Sequence, residues 1–113
     1  MEKYYKLDRV KELADNDENF IQALAETFLD EVAVDVERLK NAVANKDYKE
    51  AYQAAHKMKP TIDLFELGVL DDLIEVQDWG KFTKTDLDIT DKLNNVTTAV
   101  DNALAEIKSD FNL

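Results

Sequence analysis

Cysteine is absent from the 113 residues, glycine occurs twice and proline once. Average usage would give about 8 glycines and 6 prolines. Without cysteine there is no disulfide framework, no Cys-ligated zinc and no thiol nucleophile. A β-sandwich or small barrel needs turn residues at short intervals, and this chain does not have them. Positive charge is also scarce: 14 basic residues stand against 25 acidic ones, a net charge of −11, and only Arg9 and Arg38 are arginines. So acidic a chain repels phosphate backbones and anionic bilayers, so neither nucleic acid nor a membrane is expected as a partner. No apolar run approaches the ~20 residues of a membrane span, and Met1 leads into Glu2 and Lys3 rather than an apolar leader. The expectation is a soluble, cytoplasmic, all-helical chain, one domain over residues 1–113.

What is present is helical periodicity. A first short helix is predicted over residues 7–14, with Leu7, Val10 and Leu13 or Ala14 on one side. The cluster Asp15-Asn16-Asp17 then supplies N-cap side chains for a second, long helix over residues 17–45. There Ile21, Leu24, Phe28, Val32, Val36, Leu39 and Val43 recur every three or four residues. Asp47-Tyr48-Lys49-Glu50 reads as a capping box, Asp47 capping and Glu50 reaching back. The third helix carries Tyr48, Ala51, Ala55, Met58, Ile62 and Phe65 inward and ends near Gly68. A fourth, over residues 69–79, is closed by Gly80 at a C′ position. A fifth spans residues 87–109, with Ile89, Leu93, Val96, Val100, Leu104 and Ile107 inward. Long stripes joined by short loops predict an up-down antiparallel four-helix bundle, with the short N-terminal helix over one end. Because each stripe is buried within one chain, a monomer is expected.

Several chemistries fail on the residues. A di-iron bundle needs Glu-x-x-His on two helices, whereas this chain has one histidine, preceded three residues earlier by Gln53. Asp15, Asp17, Asn19 and Glu26 match positions of a calcium loop, but Phe20 stands where its sharp turn needs glycine. No glycine-rich phosphate loop is present, and no metal site is expected. A small-molecule enzyme lacks any convergent polar cluster.

His56 remains, in Ala54-Ala55-His56-Lys57-Met58-Lys59-Pro60. At 100° per residue it falls roughly 100° from the centre of the apolar stripe, on the wet flank of its helix. Lys59 follows one turn later and Asp63 a second turn later. Imidazole in water is mostly neutral at pH 7, with one ring nitrogen free to attack. An ammonium about 5.5 Å away offsets charge on a phosphoryl group by roughly 1–3 kcal/mol at an effective dielectric of 20–80. A lone surface histidine followed by a lysine is also an ordinary helix flank. Pro60 leaves two readings open. Either the helix breaks there, or it continues and the carbonyl of His56 loses its partner.

The run His56-Lys57-Met58-Lys59-Pro60-Thr61-Ile62-Asp63 resembles the signature of histidine-containing phosphotransfer (HPt) domains, His-x-x-Lys-Gly, in the His-Lys-x-Lys-Pro-Ser-Ile-Asp version of stand-alone bacterial members. Asp17-Glu18-Asn19-Phe20-Ile21, Phe28-Leu29-Asp30-Glu31 and Asp47-Tyr48 also sit where that family has similar residues, so the resemblance covers about residues 7–109. One departure is Glu66, ten residues after His56, where the family usually has a second glycine; Gly68 comes two residues later.

The resemblance implies a phosphocarrier in a multistep two-component relay. His56 would accept a phosphoryl group from the aspartate of a receiver domain, in a hybrid sensor kinase or a response regulator, and pass it to another receiver. Lys59 would balance phosphoryl charge, while Lys57, Pro60 and Asp63 complete the motif, Lys57 supporting docking or solubility. Mg²⁺ would belong to the receiver, with no cofactor and no kinase activity of its own. The alternative is a non-catalytic adaptor that binds a receiver or a partner helix. Counting back from residues 45–47 places residues 34–39 level with His56, with Val34 off the apolar stripe and exposed for docking.

Overall fold

In a computed structural model, residues 3–113 are described. Met1 and Glu2, on which the reading of the chain's start rests, lie outside the described residues. Among the described residues the fold is all-helical, with five helices: α1 (Asp8–Leu13), α2 (Glu18–Ala44), α3 (Tyr48–Leu64), α4 (Leu70–Lys81) and α5 (Thr90–Asp110). α3 packs most closely, on α4 and α2; α5 packs on α2 and α4, and α1 on α2. No helix among the described residues is long and apolar enough to cross a membrane.

The stripes read from the sequence form the core. α2 buries Ile21, Phe28, Val32, Val36 and Leu39, with Ala25 and Ala42 filling between them. Leu24 and Val43 lie at the edge of that stripe, partly buried. Phe28 meets Phe65 with ring centroids 4.7 Å apart, and Tyr48 meets Trp79 at 4.5 Å. Tyr5, ahead of α1, is also in the core, and its hydroxyl donates to Asp110 Oδ2 at 2.8 Å.

The start of α2 follows from Asp17, whose carboxylate accepts from the amides of Asn19 and Phe20. Asp47 starts α3 by accepting from the Glu50 amide at 3.2 Å, but Glu50 does not reach back. The amide it would have satisfied is already bonded, Asp47 N donating to Ala42 O at 2.8 Å. The Glu50 carboxylate instead takes two hydrogen bonds from Arg38, at 2.8 and 2.9 Å. A charge-assisted fork of that kind is stronger than a single bond to a neutral amide.

Every helix ends in the same way. The residue after the C-cap adopts a left-handed conformation, and the next amide bonds back to the carbonyl three residues inside the end. Asp15, Lys46, Glu66, Thr83 and Asn112 hold those positions, with φ between 48° and 56°. The closing bonds are Asn16 N to Lys11 O, Asp47 N to Ala42 O, Leu67 N to Ile62 O, Lys84 N to Trp79 O and Leu113 N to Lys108 O. Neither glycine closes a helix.

This corrects the expectation for Gly80, which lies inside α4. A Cβ placed on it would stand 2.5 Å from Tyr48 O and 2.7 Å from Tyr52 N, so its missing side chain is what admits the α3 backbone. α5 also begins at Thr90, three residues later than its apolar pattern suggested. The carbonyl of Leu87 accepts from the Trp79 indole at 3.0 Å, and Asp88 accepts from the Thr90 amide at 2.9 Å. Those two bonds hold residues 87–89 outside the helix.

α3 runs unbroken through Pro60, which settles the choice left open by the sequence. Pro60 is exposed, and it offers no N–H to the carbonyl of His56.

Candidate functional site

The inward face of α3 is held by Ala51, Ala55, Met58 and Ile62, which turns His56 outward and leaves it exposed, as its angular position required. Two neighbours fix its ring. The Tyr52 ring, one turn earlier on α3, stacks on the imidazole at 5.6 Å between centroids and 21° between planes. From α4, Gln77 places its side-chain Oε1 3.3 Å from His56 Nδ1. An amide oxygen only accepts, so this contact favours the tautomer with the proton on Nδ1, which then donates to Oε1. The lone pair then resides on Nε2, which has no partner among the described residues.

The sequence reading missed Gln77. Its signal is the α4 stripe, in which Leu73, Val76, Trp79 and Gly80 are buried and one polar side chain is buried among them, 7% exposed. A buried amide needs a hydrogen-bond partner, and here that partner is the histidine.

Lys59 lies one turn beyond His56 and is half-buried, with no ion pair or hydrogen bond among the described residues. Lys57 is engaged differently. Its ammonium is 3.1 Å from Asp35 Oδ1, an α2 carboxylate whose side chain is only 3% exposed. Arg38 approaches the same oxygen at 3.5 Å and is itself paired with Glu50. The Arg38 hydrogen bonds hold the Glu50 carboxyl below its usual range, and Glu50 in turn raises the Arg38 guanidinium. This network pins α2 to α3 beside His56. The family resemblance implied a docking or solubility role for Lys57; the structure adds this inter-helix pairing.

Asp63 is not part of this cluster. Seven residues past His56, about 10 Å along the helix, it pairs with Arg9 at 2.9 Å, and Arg9 also donates to the Asp63 carbonyl at 3.2 Å. It therefore ties the α1 end to α3. Val34, next to Asp35, is level with Lys57 and 60% exposed. At the far end of α3, Glu66 adopts φ 53° where the family resemblance would place glycine, and its Oε2 is buried without a partner. No group of three or more metal-ligating side chains is found among the described residues.

No protein-family model matches the chain, and no curated protein or solved structure is significantly similar to it. The functional reading rests on the site's own geometry.

Proposed function

We propose that this protein is a histidine phosphocarrier of a multistep two-component relay, built as an up-down antiparallel four-helix bundle with a short N-terminal helix, and working as a cytoplasmic monomer. The observation that carries this reading is the state of the one histidine: exposed, stacked on Tyr52, its Nδ1–H tied to a buried glutamine and its Nε2 lone pair unengaged. A histidine that only decorates a surface has no need of a buried amide to fix its tautomer.

In the proposed reaction, Nε2 attacks the phosphorus of a receiver's aspartyl phosphate in line with the P–O bond. The N–P bond forms as that P–O bond breaks, and the aspartate leaves as a carboxylate. Positive charge developing on the ring is met by the Gln77 carbonyl dipole, already oriented and needing no reorganisation. Lys59, free of any carboxylate among the described residues, offsets charge on the phosphoryl oxygens. The receiver brings the Mg²⁺. Transfer to a second receiver is the same displacement in reverse. Docking would centre on His56 and take in the exposed Val34.

Incubation with a phosphorylated receiver is expected to place one acid-labile, alkali-stable phosphoryl group on the protein, and ATP with Mg²⁺ alone to place none. His56→Gln should abolish labelling with the fold intact, since the side chain fills no core space. Lys59→Ala should slow transfer about tenfold, equivalent to ~1.4 kcal/mol of lost charge stabilisation. Label persisting in the Gln variant would overturn the proposal. Receiver binding without any label on the parent protein would replace it with the adaptor reading.

A further inference from the structure

Gly80 and Gln77 lie three residues apart on α4, and both meet α3 along one line. Gly80 faces the backbone of Tyr48 and Tyr52, and Gln77 faces His56, one turn beyond Tyr52. The residue whose amide crowds position 80 is also the one whose ring stacks on the imidazole. Resting on the reading of His56 as phosphoryl acceptor, we infer that Gly80 is a positioning residue for that histidine. Its missing side chain sets the spacing of α3 and α4 that lets Gln77 hold Nδ1–H.

The distances leave little slack. Ordinary van der Waals contact for a Cβ begins at 3.4 Å, and one at position 80 would stand 2.5 Å from Tyr48 O, so the helices would have to part by about 0.9 Å there. Both crowding atoms belong to the α3 backbone and cannot swing aside as a side-chain tip could. The bond from His56 to Gln77 is 3.3 Å long, already beyond the usual ~2.9–3.0 Å, and at ~3.6 Å it no longer counts as a bond. Parting the helices by even a fraction of the required distance therefore releases Nδ1. The proton is then shared between the two ring nitrogens, and the Nε2 lone pair is available only in the fraction that keeps it on Nδ1.

The chain has one histidine, so ring nitrogen spectra of the ¹⁵N-labelled protein give a single unambiguous set of signals. At a pH where the ring is neutral, the parent should show a protonated-type Nδ1 and an unprotonated-type Nε2. Gly80→Ala should shift both toward the mixed-tautomer values, Gln77→Ala should do the same, and the double variant should go no further. Labelling of His56 by the small-molecule donor phosphoramidate should fall in proportion to the Nδ1–H population. A folded Gly80→Ala protein with parental ring signals would overturn the inference. Should that variant fail to fold, the parent alone decides: cross-relaxation from Gly80 Hα to the Tyr52 amide, and from the Gln77 side chain to the imidazole, is required, and absence of either refutes it. None of these measurements needs a receiver. Failure of every receiver to label His56 would thus remove the phosphocarrier reading and leave the ring result standing.

Discussion

Where α4 crosses α3, no side chain separates the helices at Gly80; α5 and α2, in contrast, leave an open surface groove of about 530 Å³ beside their contact. The groove is lined by Leu29, Ala33, Leu104 and Leu113, with Glu26 and Lys108 at its edges. Both helix pairs bury apolar stripes of similar periodicity, so hydrophobic patterning does not distinguish them. The difference lies in the small residues. On the first pair, glycine meets backbone and the alanines of α3 are fully buried; on the second, Ala33 faces a gap. The exposed histidine and its buried glutamine belong to the first pair. A side chain oriented by a hydrogen bond across two helices needs rigid support, and the tighter helix pair provides it.

The comparison is broken most directly by adding atoms to each side. Gly80→Ala is expected to cost about 3 kcal/mol, at the upper end of ordinary overpacking, because the atoms it meets are backbone. Ala33→Leu adds more volume and should be neutral or stabilising by up to about 1 kcal/mol, since its new methylenes cover apolar groove surface. Urea midpoints of the two variants read the contrast. Equal losses would mean that the two helix pairs are equally packed.

Glu66→Gly sharpens the same contrast at the far end of α3. A left-handed residue with a side chain costs about 1–2 kcal/mol relative to glycine, and Glu66 also buries an unpartnered carboxylate oxygen. Against this stands the greater freedom of glycine in the unfolded chain, roughly 0.5–1 kcal/mol. A net gain of about 1 kcal/mol is expected, seen as a raised urea midpoint. A loss would show that the Glu66 side chain contributes packing that outweighs its backbone strain.

How legible this molecule was depended on which physical signal each feature carries. The five helices and their buried faces were readable because a 3.6-residue period survives single exceptions. Helix ends were harder to place, because the left-handed C′ positions are held by Lys46, Glu66 and Thr83, which announce nothing, while the glycine that did draw attention, Gly80, serves a helix crossing. His56 on its wet flank and the exposure of Val34 followed from angular position. Gln77 and Asp35 did not, because each is a single polar residue whose meaning comes from a partner on another helix. Tyr5 had no periodic neighbours at all, and its burial comes from packing and hydrogen bonding across the fold. Glu50 was misread because the amide it was expected to cap had already been satisfied by Ala42.

The smallest expected effect separates an ion-paired contact from an apolar one. α2 is joined to α3 partly through Arg38 and Glu50, whereas its groove with α5 is mainly apolar. The Glu50 carboxyl is held below its ordinary value of 4.5 by the Arg38 hydrogen bonds. A carboxyl depressed on folding stabilises the protein above its unfolded value, and that contribution fades as pH falls through the folded one. Both partners are partly exposed, so the effect is modest and screened by salt. Glu50→Gln should therefore be slightly less stable than the parent at about pH 7, and the gap should close on acidification to about pH 3. Comparing urea midpoints of the two proteins across that range isolates this pair from every other carboxylate. A gap that stays constant would show that Glu50 acts through packing or neutral hydrogen bonding, and that α2 is held to α3 without help from this charge.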